Sequence, residues 1–159
     1  MVRRVFFSFH YERDIWRANQ VRNSWVTKPD REAAGFLDAA GWEQVRGRGE
    51  DAICRWIDSQ LEDTSVTAVL IGTETSERRY VLYEIEQSHK RGKGLLGIYI
   101  HNLKDNQGQI DNKGQNPFGK LYIDRVYLSD IYLTYDWIND DGYNNFAEWV
   151  EKAAQKAGR

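Results

Sequence analysis

The sequence predicts an α/β fold, an open sheet of parallel strands with helices on both faces, in a single domain spanning 1–159. Three observations predict it. Val5-Phe6-Phe7-Ser8-Phe9, Val66-Thr67-Ala68-Val69-Leu70-Ile71 and Leu95-Leu96-Gly97-Ile98-Tyr99-Ile100 are short and apolar almost throughout, the pattern of strands covered on both faces. Amphipathic helical stripes lie between these runs. Strands that alternate with helices in this way build a parallel sheet.

Each element follows from its spacing. Ile15, Ala18 and Val21 indicate a helix directly after the first strand. The segment Gly35–Gly49 reads as a surface loop. Ile53, Trp56, Ile57 and Leu61 recur at i, i+3, i+4 and i+8 and mark one face of a helix over about 50–62. Val81, Leu82, Ile85 and His89 do the same over about 77–91. The polar, turn-rich stretch 101–120 forms a loop which, at that length in a compact domain, is either functional or partly disordered. Over Arg125–Trp137, Val126, Leu128, Ile131 and Leu133 suggest an edge strand. Phe146, Trp149, Val150, Ala153 and Ala157 mark a last helix covering the sheet, with Asn144 as its N-cap.

Composition excludes several function classes. No apolar run approaches the roughly 20 residues that span a bilayer, so no membrane partner is expected. The opening MVRRVFFSFHYERD reads as a buried strand and lacks the small-residue cleavage site of a signal peptide. A single cysteine, Cys54, rules out an intramolecular disulfide and suits a reducing cytoplasm. The net charge is −2, with acidic and basic residues interspersed, which gives no electrostatic reason to expect nucleic acid. His89-Lys90-Arg91-Gly92-Lys93 is the nearest thing to a basic patch, and its place at a helix end complements the helix dipole.

Two motifs fail on inspection. Gly92-Lys93-Gly94-Leu95-Leu96-Gly97 matches G-x-G-x-x-G, but a helix precedes it and a strand follows, the reverse of the dinucleotide fingerprint. Trp137 to Glu148 approaches a calcium loop, yet Trp137 occupies the first ligand position, where an oxygen is required. His10, His89, His101 and Cys54 are too scattered for a metal site, so none is expected.

Two segments remain. Phe7-Ser8-Phe9-His10-Tyr11 runs off the carboxyl end of the first strand, and Thr75 to Ile85 opens the helix after the second. In an open α/β sheet such segments flank the ligand crevice. Tyr80 and Glu84 lie four apart on that helix and share a face, while Glu86 points elsewhere. Taken alone, a glutamate on an amphipathic helix is ordinarily a solvated residue. A helix start at Ser76 sets Glu84 about 12 Å along the axis, deep for a crevice at the rim; a start near Arg79 removes that difficulty.

Longer strings carry a resemblance. Arg4 to Tyr11, Ser65 to Gly72, Arg78 to Ile85, Asn116-Pro117-Phe118, Tyr135-Asp136-Trp137 and Asp140 to Asn144 resemble the TIR-like domain of the Thoeris antiphage defence system over nearly the whole chain. In that system the subunit senses infection and makes a signalling nucleotide from NAD. The resemblance implies a flavodoxin-like sheet and an NAD glycohydrolase or ADP-ribosyl cyclase type of enzyme, with NAD as substrate and no resident cofactor. It implies an ADP-ribose-derived product, cyclic or conjugated, that activates an effector protein after a phage-derived trigger. TIR enzymes place the catalytic glutamate four residues after an aromatic, which maps to Glu84 and Tyr80; many of them carry tryptophan where Tyr80 stands. Ser8, Phe9 and His10 then form the opposite wall for substrate. Because TIR sites are often completed by assembly, a homo-oligomer is a further expectation, with Asp38 and Trp42 as candidate contacts to a neighbouring subunit.

Without the resemblance each of these residues has an ordinary reading: turn capping for Ser8, core packing for Phe9, strand termination for His10. Two other functions stand beside the enzyme. A non-catalytic TIR-like scaffold would bind or assemble without consuming NAD. A flavin-holding domain would need a Ser/Thr-rich phosphate loop after the first strand, and none is evident.

Overall fold

A computed structural model describes residues 3–36 and 39–159. Five parallel strands form one sheet in the order β2-β1-β3-β4-β7: β1 Arg3–Ser8, β2 Arg31–Ala34, β3 Val66–Ile71, β4 Gly94–Tyr99 and β7 Thr134–Asp136. All six residues of β3, the central strand, are buried. That is why the runs read as continuously apolar: helices cover both faces.

Alternation along the strands assigns the faces. Val5 and Phe7 join Val66, Ala68 and Leu70 against α1 (Tyr11–Val26) and α5 (Gly142–Lys156). Phe6 packs on the other side with Ile53, Ile57 and Leu61 of α3 (Glu50–Leu61). Val69, Ile71 and Leu95 meet Val81 and Ile85 of α4 (Arg79–Lys90) on that same side. The chain leaves β1 toward β2 by way of α1 and returns to β3 by way of α3 on the opposite face. The reversal makes the carboxyl ends of β1 and β3 the topological switch point.

Several local expectations are corrected. Segment 35–49 is not simply a loop, since it contains helix α2, Ala39–Gly47. Asp38 lies outside the described residues, as does the side chain of Trp42. Arg125–Trp137 is not one edge strand. Val126–Tyr127 (β6) folds back antiparallel on Tyr122–Ile123 (β5), Leu128–Asp130 makes a 3-10 turn, and only Thr134–Asp136 joins the main sheet. The left-handed Asp124 and Arg125 turn the chain between β5 and β6 and break the alternation. Asn144 is not the N-cap of α5. The cap is Asp141, three residues earlier and left-handed, and the helix begins at Gly142, which lies on the Trp137 ring, where a Cβ would come within 2.2 Å of a ring carbon.

The polar stretch after β4 is held against α1. The Arg17 guanidinium, nearly fully buried, donates to the carbonyls of Leu103 at 2.7 Å and Gln109 at 2.9 Å, and Gln20 donates to Lys104 O at 2.8 Å. Arg13 adds an ion pair to Asp111 at 2.8 Å and another to Glu74 at 2.8 Å. Among the described residues, no helix is long and apolar enough to cross a membrane.

At the carboxyl end of β3, Gly72 is pressed onto Asp14 of α1, and a Cβ there would sit 2.1 Å from Asp14 Oδ2. Burial pushes the Asp14 carboxyl up to about 6 despite Arg17 and Arg13 nearby. Gly72→Ala is therefore expected to destabilise the protein by about 1–3 kcal/mol through overpacking. In urea denaturation the double variant with Asp14→Ala should lose clearly less than the sum of the two single losses. Additive losses would show that the two residues do not compete for one space.

Candidate functional site

The switch point gathers side chains from β1, α1, α3 and α4. Glu84 projects from α4 toward the sheet and is 7% exposed. Ser8, the last residue of β1 and fully buried, donates from Oγ to Glu84 Oε1 at 2.9 Å. One turn further along α4, Ser88 Oγ donates to Glu84 O at 2.7 Å and lies 2.7 Å from Thr67 Oγ1 on β3. Thus α4 buries two polar residues, and each meets a hydroxyl from an adjacent strand. This fixes the rotation of the helix on the sheet.

The helix begins at Arg79, after a 3-10 turn over Thr75–Glu77. Glu84 therefore lies only about 7 Å along the axis, within reach of the rim. Tyr80 and Glu84 line one cleft together, as their spacing predicts, and Phe9 lines it as well. Phe9 also belongs to the core, its ring 4.9 Å from Phe36 and 6.0 Å from Tyr11. Ser8 acts on the cleft through its bond to Glu84. His10 is turned toward α1, where its Nδ1 accepts from Arg13 N at 3.3 Å as the helix N-cap, and it is not among the cleft's lining residues.

Sequence reasoning missed the rest of the wall. Tyr11 of α1, Trp56 and Ile57 of α3, and Arg78 at the N-cap of α4 all line the cleft. The α3 stripe is evident in the sequence as a core face. Nothing in its periodicity tells that Trp56 and Ile57 reach past the core to the site. Arg78 sits in the string Glu77-Arg78-Arg79, where one arginine cannot be told from the next by spacing.

The electrostatics of Glu84 are unusual. Burial pushes its carboxyl up from an ordinary 4.5 to about 8, opposed by the Ser8 hydrogen bond. A buried carboxylate is normally paired with a cation; this one has a single hydroxyl partner and no cationic one among the described residues. Near neutral pH it is held largely protonated, in an apolar and aromatic cleft ready to ionise against a positive ligand.

The open space at the cleft is about 30 Å³, room for a water or two. A roomier cavity of about 270 Å³ lies at the opposite end of β4, among Leu95, Tyr132, Tyr135 and Trp149. Among the described residues its lining holds no carboxyl, so it offers no group to stabilise a developing positive charge. Among the described residues, no group of three or more His, Cys, Asp or Glu is arranged to hold a metal ion.

The strand order and the glutamate at the switch point define a flavodoxin-like, TIR-like domain. A family model described as "Thoeris protein ThsB, TIR-like domain" matches residues 6–105. The chain is also 39% identical, over 195 aligned positions, to a protein of Bacillus cereus (strain MSX-D12) named "Putative cyclic ADP-D-ribose synthase ThsB1". That alignment covers 94% of this chain and 100% of the relative. The chain belongs to the ThsB TIR-like family.

The raised pKa makes a stability prediction with a definite sign. A carboxyl whose folded pKa lies above its unfolded value contributes stability that is full below about 4.5 and is lost as pH rises through about 8. Between about pH 7 and about pH 9 this group alone should cost wild type about 1 kcal/mol. Glu84→Gln should lack that share, read as denaturant midpoints at the two pH values. An identical pH dependence in both proteins would place the Glu84 pKa outside this window.

Proposed function

We propose that this protein cleaves the nicotinamide glycosidic bond of NAD and passes the ADP-ribosyl group on, to form a cyclic or conjugated signalling nucleotide that activates an effector in Thoeris defence. One observation carries the reading: a buried carboxyl at the switch point that has no cationic partner among the described residues. Family membership supports it, as does the activity named for the Bacillus cereus relative.

The chemistry fits one carboxyl. Nicotinamide is cationic while attached and leaves neutral, so its departure needs no general acid, whereas ordinary glycosidases use two carboxyl groups. Bound NAD brings positive charge beside Glu84 and favours its ionised form. As the glycosidic bond stretches, positive charge moves onto the ribose. A carboxylate about 4 Å away gains about 4 kcal/mol at an effective dielectric of 20, before desolvation. Because the group is pre-positioned by Ser8 and already desolvated, that gain falls on the transition state. Tyr80 and Phe9 offer aromatic faces to the departing ring. Exclusion of bulk water by the apolar walls favours capture of the ribosyl cation by the adenosine end or another acceptor over hydrolysis.

The space beside Glu84, about 30 Å³, is far below the roughly 300 Å³ at the lower end of ligand pockets. To admit NAD the cleft would have to widen, as expected of an enzyme that is silent until a phage-derived trigger acts.

NAD loss and nucleotide products, resolved by mass spectrometry in cells under phage challenge, test the proposal. Wild type should deplete NAD and yield a new ADP-ribose species. Glu84→Gln should be down at least a hundredfold with its fold intact. Equal products from both would remove Glu84 from the mechanism; intact defence with no product from either would favour the scaffold function. With activated enzyme, kcat/KM should rise with pH and level off above about 8, since the free enzyme must ionise Glu84. The inflection in kcat should lie lower, because the bound cation favours the carboxylate. A profile flat from pH 6 to pH 9 would contradict the assignment.

A further inference from the structure

We propose that Arg78 anchors the pyrophosphate of the substrate and is the residue by which this site selects a dinucleotide over a nicotinamide nucleoside. The inference rests on the NAD-cleaving reading and adds a second, cationic end to the site.

Of the described residues that line the cleft, Glu84 is the one carboxyl and Arg78 the one cation. They do not neutralise one another: the Glu84 carboxyl is shifted by burial and by Ser8, with no contribution from Arg78. The positive charge is felt toward the β1–α1 junction instead. There, after burial, it is the next cause holding the His10 imidazole below its usual range. The cleft thus has a carboxyl beneath β1 that a cation would ionise and a cationic end at its rim. NAD carries its charges in the same arrangement, a cationic nicotinamide riboside followed by an anionic pyrophosphate.

Arg78 is also unspent. Its chain neighbour Arg79 is engaged, in an ion pair with Glu50. The Arg78 side chain makes no hydrogen bond or ion pair with any described residue, although it is only half-exposed. Its backbone is fixed, with N–H donating to Thr75 O at 3.1 Å and its carbonyl accepting from Leu82 N at 3.1 Å, so the guanidinium departs from a rigid point. A guanidinium reads phosphate oxygens in a bidentate fork. No side chain caps the first turn of α4, so its N–H groups and the positive end of its dipole face the same rim.

The test compares wild type, Arg78→Gln and Arg78→Lys with NAD and with nicotinamide riboside, which has the same scissile bond and no phosphate. Glutamine should raise KM for NAD about tenfold to a hundredfold, leave kcat within about threefold, and leave the riboside unchanged. Lysine should recover part of the NAD affinity. Calorimetric binding of ADP-ribose gives a readout independent of turnover, and should weaken in Arg78→Gln by the same factor, with a shallower salt dependence. Parallel changes for both substrates, unchanged KM for NAD, or ADP-ribose affinity equal in wild type and variant would each overturn the assignment. If wild type consumes neither substrate under activating conditions, the enzymatic reading fails on its own. Weaker ADP-ribose binding by Arg78→Gln would still support the anchor, and no binding by wild type at millimolar ADP-ribose would overturn it.

Discussion

Everything at this site depends on keeping a carboxyl group out of water without giving it a countercharge. Glu84 is buried between α4 and the end of β1, and among the described residues its one side-chain partner is the Ser8 hydroxyl. Desolvating a carboxylate costs several kcal/mol. The folded protein avoids most of that cost by protonating the group, hence a pKa of about 8. A cationic substrate reverses the balance. On the proposed reading, a carboxyl held neutral by burial favours ligands whose positive charge stabilises its ionised form.

The fold supplies this through register. Ser8 shares a strand face with Phe6, and on β3 the matching face carries Thr67, aligned with Phe6, and Val69, aligned with Ser8. Ser8 and Thr67 present two hydroxyls to α4, where Glu84 and Ser88 lie one turn apart. A slip of one residue in β1 would turn the Ser8 hydroxyl to the α1 side and leave Glu84 with no partner. The opposite face, dominated by Phe7, Trp25, Phe146 and Trp149, carries the bulk of the packing and leaves the α3/α4 face free to hold polar groups. At the rim, Arg17 and Arg13 tie the polar stretch after β4 to α1, so the carboxyl end of the sheet stands on fixed supports.

Much of this was legible in the residues, for identifiable reasons. Strands covered on both faces leave an uninterrupted apolar signature, so β1, β3 and β4 are evident, and α3, α4 and α5 follow from stripes at helical spacing. The resemblance singled out Glu84 and Tyr80, and the structure puts them in one cleft. What escaped depends on contacts between distant segments. The short β2, Arg-Glu-Ala-Ala, has no apolar run to announce it, and α2 looked like loop for the same reason. The buried Arg17 is indistinguishable in sequence from a surface arginine, because its acceptors are carbonyls some ninety residues away. The start of α5 was misplaced because the ring of Trp137, and not a capping side chain, decides it. His10 followed local capping geometry that no spacing rule distinguishes from a place in the pocket wall.

The most direct measurement is a carbon-13 NMR titration of the Glu84 side-chain carboxyl, assigned by its loss in Glu84→Gln. It would be run on the free protein and again with a non-hydrolysable cationic NAD analogue. The account predicts titration near 8 in the free protein and a clear fall when the analogue binds. A free value near the ordinary 4.5, or one that does not respond to the bound cation, would contradict it.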